Sequence, residues 1–426
     1  MTRAGDAVAV FRSMLASPRF IQATTVAMIG VAFFADSLQR LIGWPGMLAM
    51  VAVLVVLALA TFAVLRREIG WQGVLPVSLL IFVGWALLSI VWSSYRAATV
   101  GGILYLLAFT TLALYVALLR DTIQIARAFG DVLRMLLGVS LALEIFSGVL
   151  IDMPLRFLAI DGNLTHLGPL QGLMATRNQL GLVGVLALIT FTIEFVTHSV
   201  RRTVAIGSLV VAGATVLLSR SPVAFGVVAA VGLAVLALWL IRRAPVQRRG
   251  AWEWGTLIVA VLVAALAAVF RSPIVTVLSA NSELTYRLAL WRQLWNLIAL
   301  NPLEGWGWIG QWTPTIQPFT FFTGNREPTS AVNAYIDVWF QLGLAGIFFF
   351  VVLVGLAFTR SWLLAGRNRN VVFTWPALVL VALLVGSLAE SSILVEYGWL
   401  TFVVCCVKAA RELSWRRALA RPGVGD

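Results

Sequence analysis

The chain has 426 residues, of which 61% are hydrophobic and 12% charged, and its mean hydropathy is +0.95. A soluble globular protein is excluded by that composition, and a membrane protein is required. The net charge of +13 is carried by arginine with Lys408 as the sole lysine; it is spread over alternating span ends, which argues against nucleic acid as a partner.

A spanning helix takes roughly 20 mostly apolar residues. Apolar runs of that kind predict an all-α membrane protein with spans near 20–40, 46–65, 71–92, 98–119, 129–151, 175–197, 203–219, 222–241, 251–270, 332–359, 371–390 and 391–408. The stretch before them, MTRAGDAVAVFRSMLASPRF, lacks the compact apolar core and cleavage site of a signal peptide and reads as a basic cytoplasmic tail with a short amphipathic helix. Twelve spans put both termini on one side. Of the 31 basic residues, 21 fall on that side, 9 on the other, and Arg134 lies inside a span. The positive-inside bias makes the termini cytoplasmic and leaves the excess charge as a topology and anionic-lipid signal. Cys405 and Cys406 sit in an apolar run without a metal-ligand cluster and read as packing residues.

The whole chain, 1–426, therefore reads as one polytopic domain. Two connections exceed what linking spans requires, 152–174 and 271–331, and both fall on the outer side. Long connections tend to carry function. Within the second, 283–300 has helical spacing in Leu284, Leu288, Trp291, Trp295 and Ile298, a cap in Asn281 or Ser282, and a stop in Asn301-Pro302. It reads as an outer helix lying in the membrane interface, with Arg287 and Trp291 on one face.

Of the nine arginines that break the inside rule, three stand out: Arg177 in MATRNQLG, Arg220 in LLSRSPVAF and Arg287 in NSELTYRLALWRQLW. A guanidinium stays charged and matches phosphate oxygens with a planar fork, which suits a diphosphate in a partly dry site. Snorkelling, or a salt bridge to Glu283, Glu304 or Glu327, is the competing account. In NPLEGWGWIGQW, Trp306, Trp308 and Trp312 can stack on sugar faces or anchor the interface. In SAVNAYIDVWFQLGLAG, Asn333, Asp337 and Gln341 form a polar stripe beside Tyr335 and Trp339, and Gly343 and Gly346 favour close packing. Asp337 is either a helix-start carboxylate or, deeper in the membrane, a functional one. Glu144 and Glu194 lie inside spans, Glu144 with Arg134 as a partner to hand, while Glu390 and Glu396 flank the last outer connection. His166 is a candidate base, and His198 reads as solvated.

The ordered set ATRNQLG, LLSRSPVAF, YRLALWRQLWNLIALNPLEGWGW and VNAYIDVWFQLGLAG resembles the O-antigen ligase and polysaccharide polymerase superfamily, in detail over about residues 170–405. The closing SLAESSILVEYGWLTFVV is similar to the exopolysaccharide polymerase branch. The resemblance implies a GT-C-like, metal-independent glycosyltransferase without cofactor. It would take glycan from undecaprenyl diphosphate on the outer face of the cytoplasmic membrane, alongside export or chain-length partners. Family arginines matching Arg220 and Arg287 hold the diphosphate, with Arg177 a third candidate; Asn333, Tyr335, Trp306 and Trp308 are expected at the sugar or acceptor. A histidine common in the family is replaced by Val332, so the base is expected to come from Asp337, Glu283 or Glu390. The alternatives are a ligase using another acceptor, a glycan-binding protein without activity, and a permease or flippase. A transporter calls for inverted repeats or discontinuous helices, and neither is evident in the sequence.

Overall fold

Local side chains start several of the helices. In the computed structural model, which describes residues 10, 12–68, 76–166, 168–174, 176–245, 250, 255, 281–322 and 328–412, the Ser17 hydroxyl accepts from Phe20 N at 3.3 Å with Pro18 in the first turn, which satisfies a helix-start N–H that the helix itself cannot. Helix α1 then runs Pro18–Phe33 and α2 Ala35–Leu65. After α3 (Val77–Leu88) and α4 (Arg96–Leu119), Asp121 and Gln124 form a capping box for α5, Thr122–Ile145, which ends in a π-helical turn at Phe146–Leu150. That cap starts α5 seven residues before the apolar run that marks it in the sequence. Thr176 caps α6 (Arg177–Val196), and α7 (Arg202–Ser219) turns at Arg220 directly into α8 (Pro222–Arg243), capped by Ser221. Beyond the described gap lie α9 (Asn281–Ile298), α10 (Ala334–Arg367), α11 (Thr374–Gly386) and α12 (Glu396–Glu412).

The described chain is helical, and seven of its helices are long and apolar enough to cross a membrane: α2, α4, α5 with its π turn, α6, α7, α8 and α10. Helix α3 and the 371–386 segment are shorter apolar helices. The expected span at 251–270, with Arg271, Arg326 and Glu327, lies outside the described residues. The core is aromatic and aliphatic. Trp375, Trp399, Tyr115, Phe82 and Phe129 are enclosed, and Cys405 and Cys406 are buried among them as free thiols.

Contacts between helix ends sort the bundle into two poles. At one, Arg411 Nη1 reaches the Leu118 carbonyl at 3.1 Å, Lys408 donates to the Arg120 carbonyl, and Arg242 Nη1 reaches the Ala365 carbonyl at 3.4 Å. Here too Arg134 pairs with Asp131 at 2.8 Å and with buried Glu194. Arg134 is thus taken, and Glu144 is satisfied otherwise: its Oε1 accepts from Gln171 N at 3.2 Å and Gly172 N at 3.0 Å, fastening the loop before α6. The expected Glu144–Arg134 pair is corrected on that ground. Both carboxylates sit in α-helical segments, and the closer one claims the arginine.

The other pole gathers the ends of α3, α5, α7 and α11, the starts of α4, α6, α8, α10 and α12, and α9. It is defined by bonds such as Trp308 N to Ser89 Oγ at 3.0 Å, Tyr95 Oη to the Gly307 carbonyl at 2.9 Å, and Leu170 N to the Leu218 carbonyl at 3.0 Å. Every arginine singled out in the sequence for phosphate lies at this pole.

Candidate functional site at the loop-bearing pole

Helix α10 is broken at Gly343, whose φ of 68° and ψ of −168° interrupt the helical ladder. The break frees backbone groups on both sides, and those of the 301–307 loop meet them. Trp306 N donates to the Phe340 carbonyl at 3.1 Å, Gly307 N to that of Gln341 at 2.8 Å, and Leu344 N to that of Pro302 at 2.9 Å. Trp85 Nε1 reaches the Leu342 carbonyl at 3.0 Å. Only glycine fits at the crossing, because a Cβ on Gly343 would lie 2.1 Å from the Leu303 carbonyl oxygen and one on Gly305 2.5 Å from Gly343 N. The NPLEGWGW and FQLGLAG stretches are two halves of one joint.

Asp337 and Gln341 complete it. Asp337 is fully enclosed; its Oδ1 accepts from Trp312 Nε1 and Gln341 Nε2, both at 2.8 Å, and its Oδ2 from Ala331 N at 3.2 Å. Gln341 Oε1 accepts from Ile309 N at 2.8 Å and Gly310 N at 2.9 Å. The polar stripe of the sequence is therefore turned inward, onto the 309–331 loop. Asn333 is the α10 cap: Oδ1 accepts from Tyr335 N and Ile336 N, and Nδ2 donates to the Leu388 carbonyl at 2.9 Å. Tyr335 is half-buried and reaches the Leu384 carbonyl at 3.4 Å. Trp308 is 1% exposed with its ring against Phe82, so neither face is open to a sugar; Trp306 is half-buried and donates to the Leu297 carbonyl.

Helix α9 lies across this joint with Arg287, Leu290, Leu294 and Ile298 buried and Trp291 half-buried, while Leu288 and Trp295 face outward. The stripe expected from Leu284, Leu288 and Trp295 is thus rotated. Helix α9 has two apolar faces, and the one holding Arg287 wins because its guanidinium finds acceptors there. Arg287 Nη1 donates to the carbonyls of Ala389 and, at 3.3 Å, of Val332, while Trp291 Nε1 donates to that of Ala331 at 2.9 Å. Val332 holds the left-handed φ of 52° that aims this carbonyl, a costly conformation for a β-branched residue.

Arg287 Nη2 lies 3.4 Å from Glu390 Oε1, in the 387–395 link between α11 and α12. The same oxygen accepts from Asn178 Nδ2 at 3.0 Å, and Asn178 Oδ1 accepts from Ser221 Oγ at 2.7 Å. Burial pushes the Glu390 carboxyl up to about 7, with Arg287 and the Asn178 hydrogen bond acting against that rise. Arg177 beside them is paired with Glu283, Nε at 3.0 Å and Nη2 at 2.5 Å. Arg220, one residue before Ser221, is the left-handed end of α7 and is exposed; its backbone N donates to the Leu217 carbonyl, and its side chain has no hydrogen-bond or ion-pair partner among the described residues. The side chain of His166 lies outside the described positions.

Residues 207–351 match a family model described as O-antigen ligase. That match supports a relation to the O-antigen ligase and polymerase superfamily over this segment. That family acts on lipid-linked oligosaccharide in the membrane, which suggests a membrane glycan-transferring enzyme. A search of curated proteins finds no match. The ligase segment contains Arg220, Arg287 and the whole Gly343 joint, while Arg177, Asn178 and Glu390 lie outside it. Asn178 and Ser221 were quoted in the sequence motifs without a role. An amide and a hydroxyl beside two outer arginines, each at a helix start, are the signals that point to them.

Proposed function

We propose that this chain is a metal-independent polysaccharide polymerase that takes glycan from an undecaprenyl-diphosphate donor at the outer face of the cytoplasmic membrane, with both termini cytoplasmic. The observation that carries the reading is that Arg287 pairs with Glu390, while Arg177 and Arg220 directly precede Asn178 and Ser221, the two residues whose hydrogen bonds lead to the same Glu390 oxygen. Arg220 has no competing anion among the described residues. Arg287 spends Nη1 on two carbonyls and one Nη2 hydrogen on Glu390, which leaves Nε and the second Nη2 hydrogen as a two-donor edge for phosphate.

In this scheme the acceptor hydroxyl attacks the anomeric carbon of the donor sugar. The new carbon–oxygen bond forms as the bond from that carbon to the diphosphate oxygen breaks, and the electron pair leaves on the diphosphate. The arginines stabilise that developing charge, commonly the largest catalytic contribution. The hydroxyl proton goes to Glu390 Oε2, the oxygen without a hydrogen bond among the described residues. A carboxylate poised near neutral pH suits this task. Asp337 is enclosed with both oxygens bonded; Glu283 and Glu390 each keep one oxygen free of hydrogen bonds among the described residues beside an arginine, and burial, which pushes the Glu390 carboxyl up to about 7, favours Glu390 as the base.

The α10 break favours an enzyme over a transporter. No discontinuous helix is evident in the sequence, yet among the described residues two helices are interrupted, at Gly43 in α2 and Gly343 in α10. Transporters leave such ends open for ions; here the Gly343 ends are bonded to the protein's own loop. The test is purified protein with undecaprenyl-diphosphate-linked oligosaccharide, scored for product length and released undecaprenyl diphosphate. Repeated elongation is expected. Single transfer to a different acceptor would replace polymerase with ligase, and no released lipid diphosphate across several donors would overturn the enzymatic reading.

A further inference from the structure

The chain of hydrogen bonds behind Glu390 runs in one direction only. Ser221 Oγ accepts from Ala224 N at 3.1 Å as the α8 cap, so its single hydrogen is free to go to Asn178 Oδ1. With Oδ1 held by that donor, the Asn178 amide must turn Nδ2 toward Glu390 Oε1. Ser221 is 0% and Asn178 6% exposed, so water does not compete for these groups as it would at a surface. Oε1 thus receives Asn178 and Arg287, and Oε2 receives no hydrogen bond among the described residues.

We infer that Asn178 and Ser221 are positioning residues: they pin Glu390 Oε1 against the N-termini of α6 and α8 and present Oε2 as the atom that takes the proton. The inference rests on the reading of Glu390 as base. It also gives a role to the tight α7–α8 turn, which places the cation Arg220 and the orienting hydroxyl Ser221 on consecutive residues. The charged and titratable groups facing Glu390 are Arg287 and Glu283 on α9, Arg177 on α6 through its pair with Glu283, and Tyr397 on α12. None of these is altered by the substitutions below.

A hydrogen bond donated to a carboxylate favours its ionised form. Asn178→Leu keeps the bulk and removes the donor, and should raise the Glu390 midpoint by about one pH unit, so that rates below the midpoint fall about tenfold and recover at higher pH. The KM for undecaprenyl-diphosphate-linked oligosaccharide should stay as in the wild type. Ser221→Ala should shift the profile the same way by less, and Ser221→Thr should restore it. A second readout needs no substrate: the infrared band of the protonated Glu390 carboxyl, assigned by its loss in Glu390→Gln, followed against pH in purified full-length protein. An even rate loss at all pH values with an unmoved infrared midpoint in both Asn178→Leu and Ser221→Ala overturns the positioning role. A Glu390→Gln variant that keeps the wild-type pH profile overturns Glu390 as base instead, whatever the infrared midpoints do.

Discussion

Asp337 and Glu390 are both buried carboxylates at the same pole, and their surroundings differ in kind. Asp337 receives three hydrogen bonds over both oxygens, all from neutral donors: an indole, an amide side chain and a backbone N–H. Glu390 receives two on one oxygen, one of them from an arginine, and its other oxygen is open. A fully connected buried network fixes a structure, because each group lost strands its partners. A partly connected one retains the capacity to exchange a proton or a ligand. The comparison places Asp337 in the joint between α10 and its loop, and supports the proposal that Glu390 serves the chemistry.

The largest effect should come from breaking the joint. Asp337→Ala leaves Trp312 Nε1 and Ala331 N buried without an acceptor, each costing about 1–3 kcal/mol, and Gly343→Ala drives a methyl group into the Leu303 carbonyl. Both variants should lose folded protein, seen as a lower midpoint in detergent thermal unfolding and a reduced monodisperse yield. If both matched the wild type, the joint would not be what holds the loop.

Glu390→Gln comes next and tests the opposite half. Activity should fall by about 10²–10⁴-fold, the usual contribution of a general base, with folding intact. The sign of its pH dependence is set by burial. Burial pushes the folded-state carboxyl up to about 7 from its ordinary 4.5, so the folded state holds more protons between these values. Stability should therefore be highest below about 4.5 and decline as pH rises toward about 7. Glu390→Gln should remove that decline, which pH-resolved thermal unfolding would reveal.

Arg220→Ala and Arg287→Ala sharpen the comparison further. Each should lower turnover about 10²–10³-fold, as loss of one charge-stabilising donor does. Only Arg287→Ala should also lower stability, since Arg287 is buried on two carbonyls while Arg220 is exposed. Intact activity in both would remove the diphosphate scheme. The smallest change is Val332→His. Histidine is better suited than valine to a positive φ, so stability should rise by under about 1 kcal/mol. A large rate gain would show that a second base adds to Glu390, and an unchanged rate that Glu390 suffices.

Much of this was legible in the sequence because it is local. Apolar run lengths gave most of the helices, Asn301-Pro302 marked the end of α9, and the three arginines singled out in the sequence all fall at one pole of the bundle. What stayed hidden is long-range. Asn178 and Glu390 are 212 residues apart, and nothing in either neighbourhood names the other. Periodicity on α9 offered two apolar faces, and the choice depended on carbonyls at Val332 and Ala389 that only the fold supplies. The depth of Asp337 likewise follows from Trp312 closing over it, at a distance of 25 residues.

The most direct test sets the two isosteric amides side by side, Asp337→Asn and Glu390→Gln, with turnover measured per folded molecule alongside thermal unfolding. Asp337→Asn should lower the unfolding midpoint and keep turnover within a few-fold of the wild type, while Glu390→Gln should unfold at a midpoint no lower than the wild type's and lose turnover by about 10²-fold or more. Glu390→Gln with wild-type turnover, or Asp337→Asn stably folded and inactive, would contradict the division between joint and chemistry.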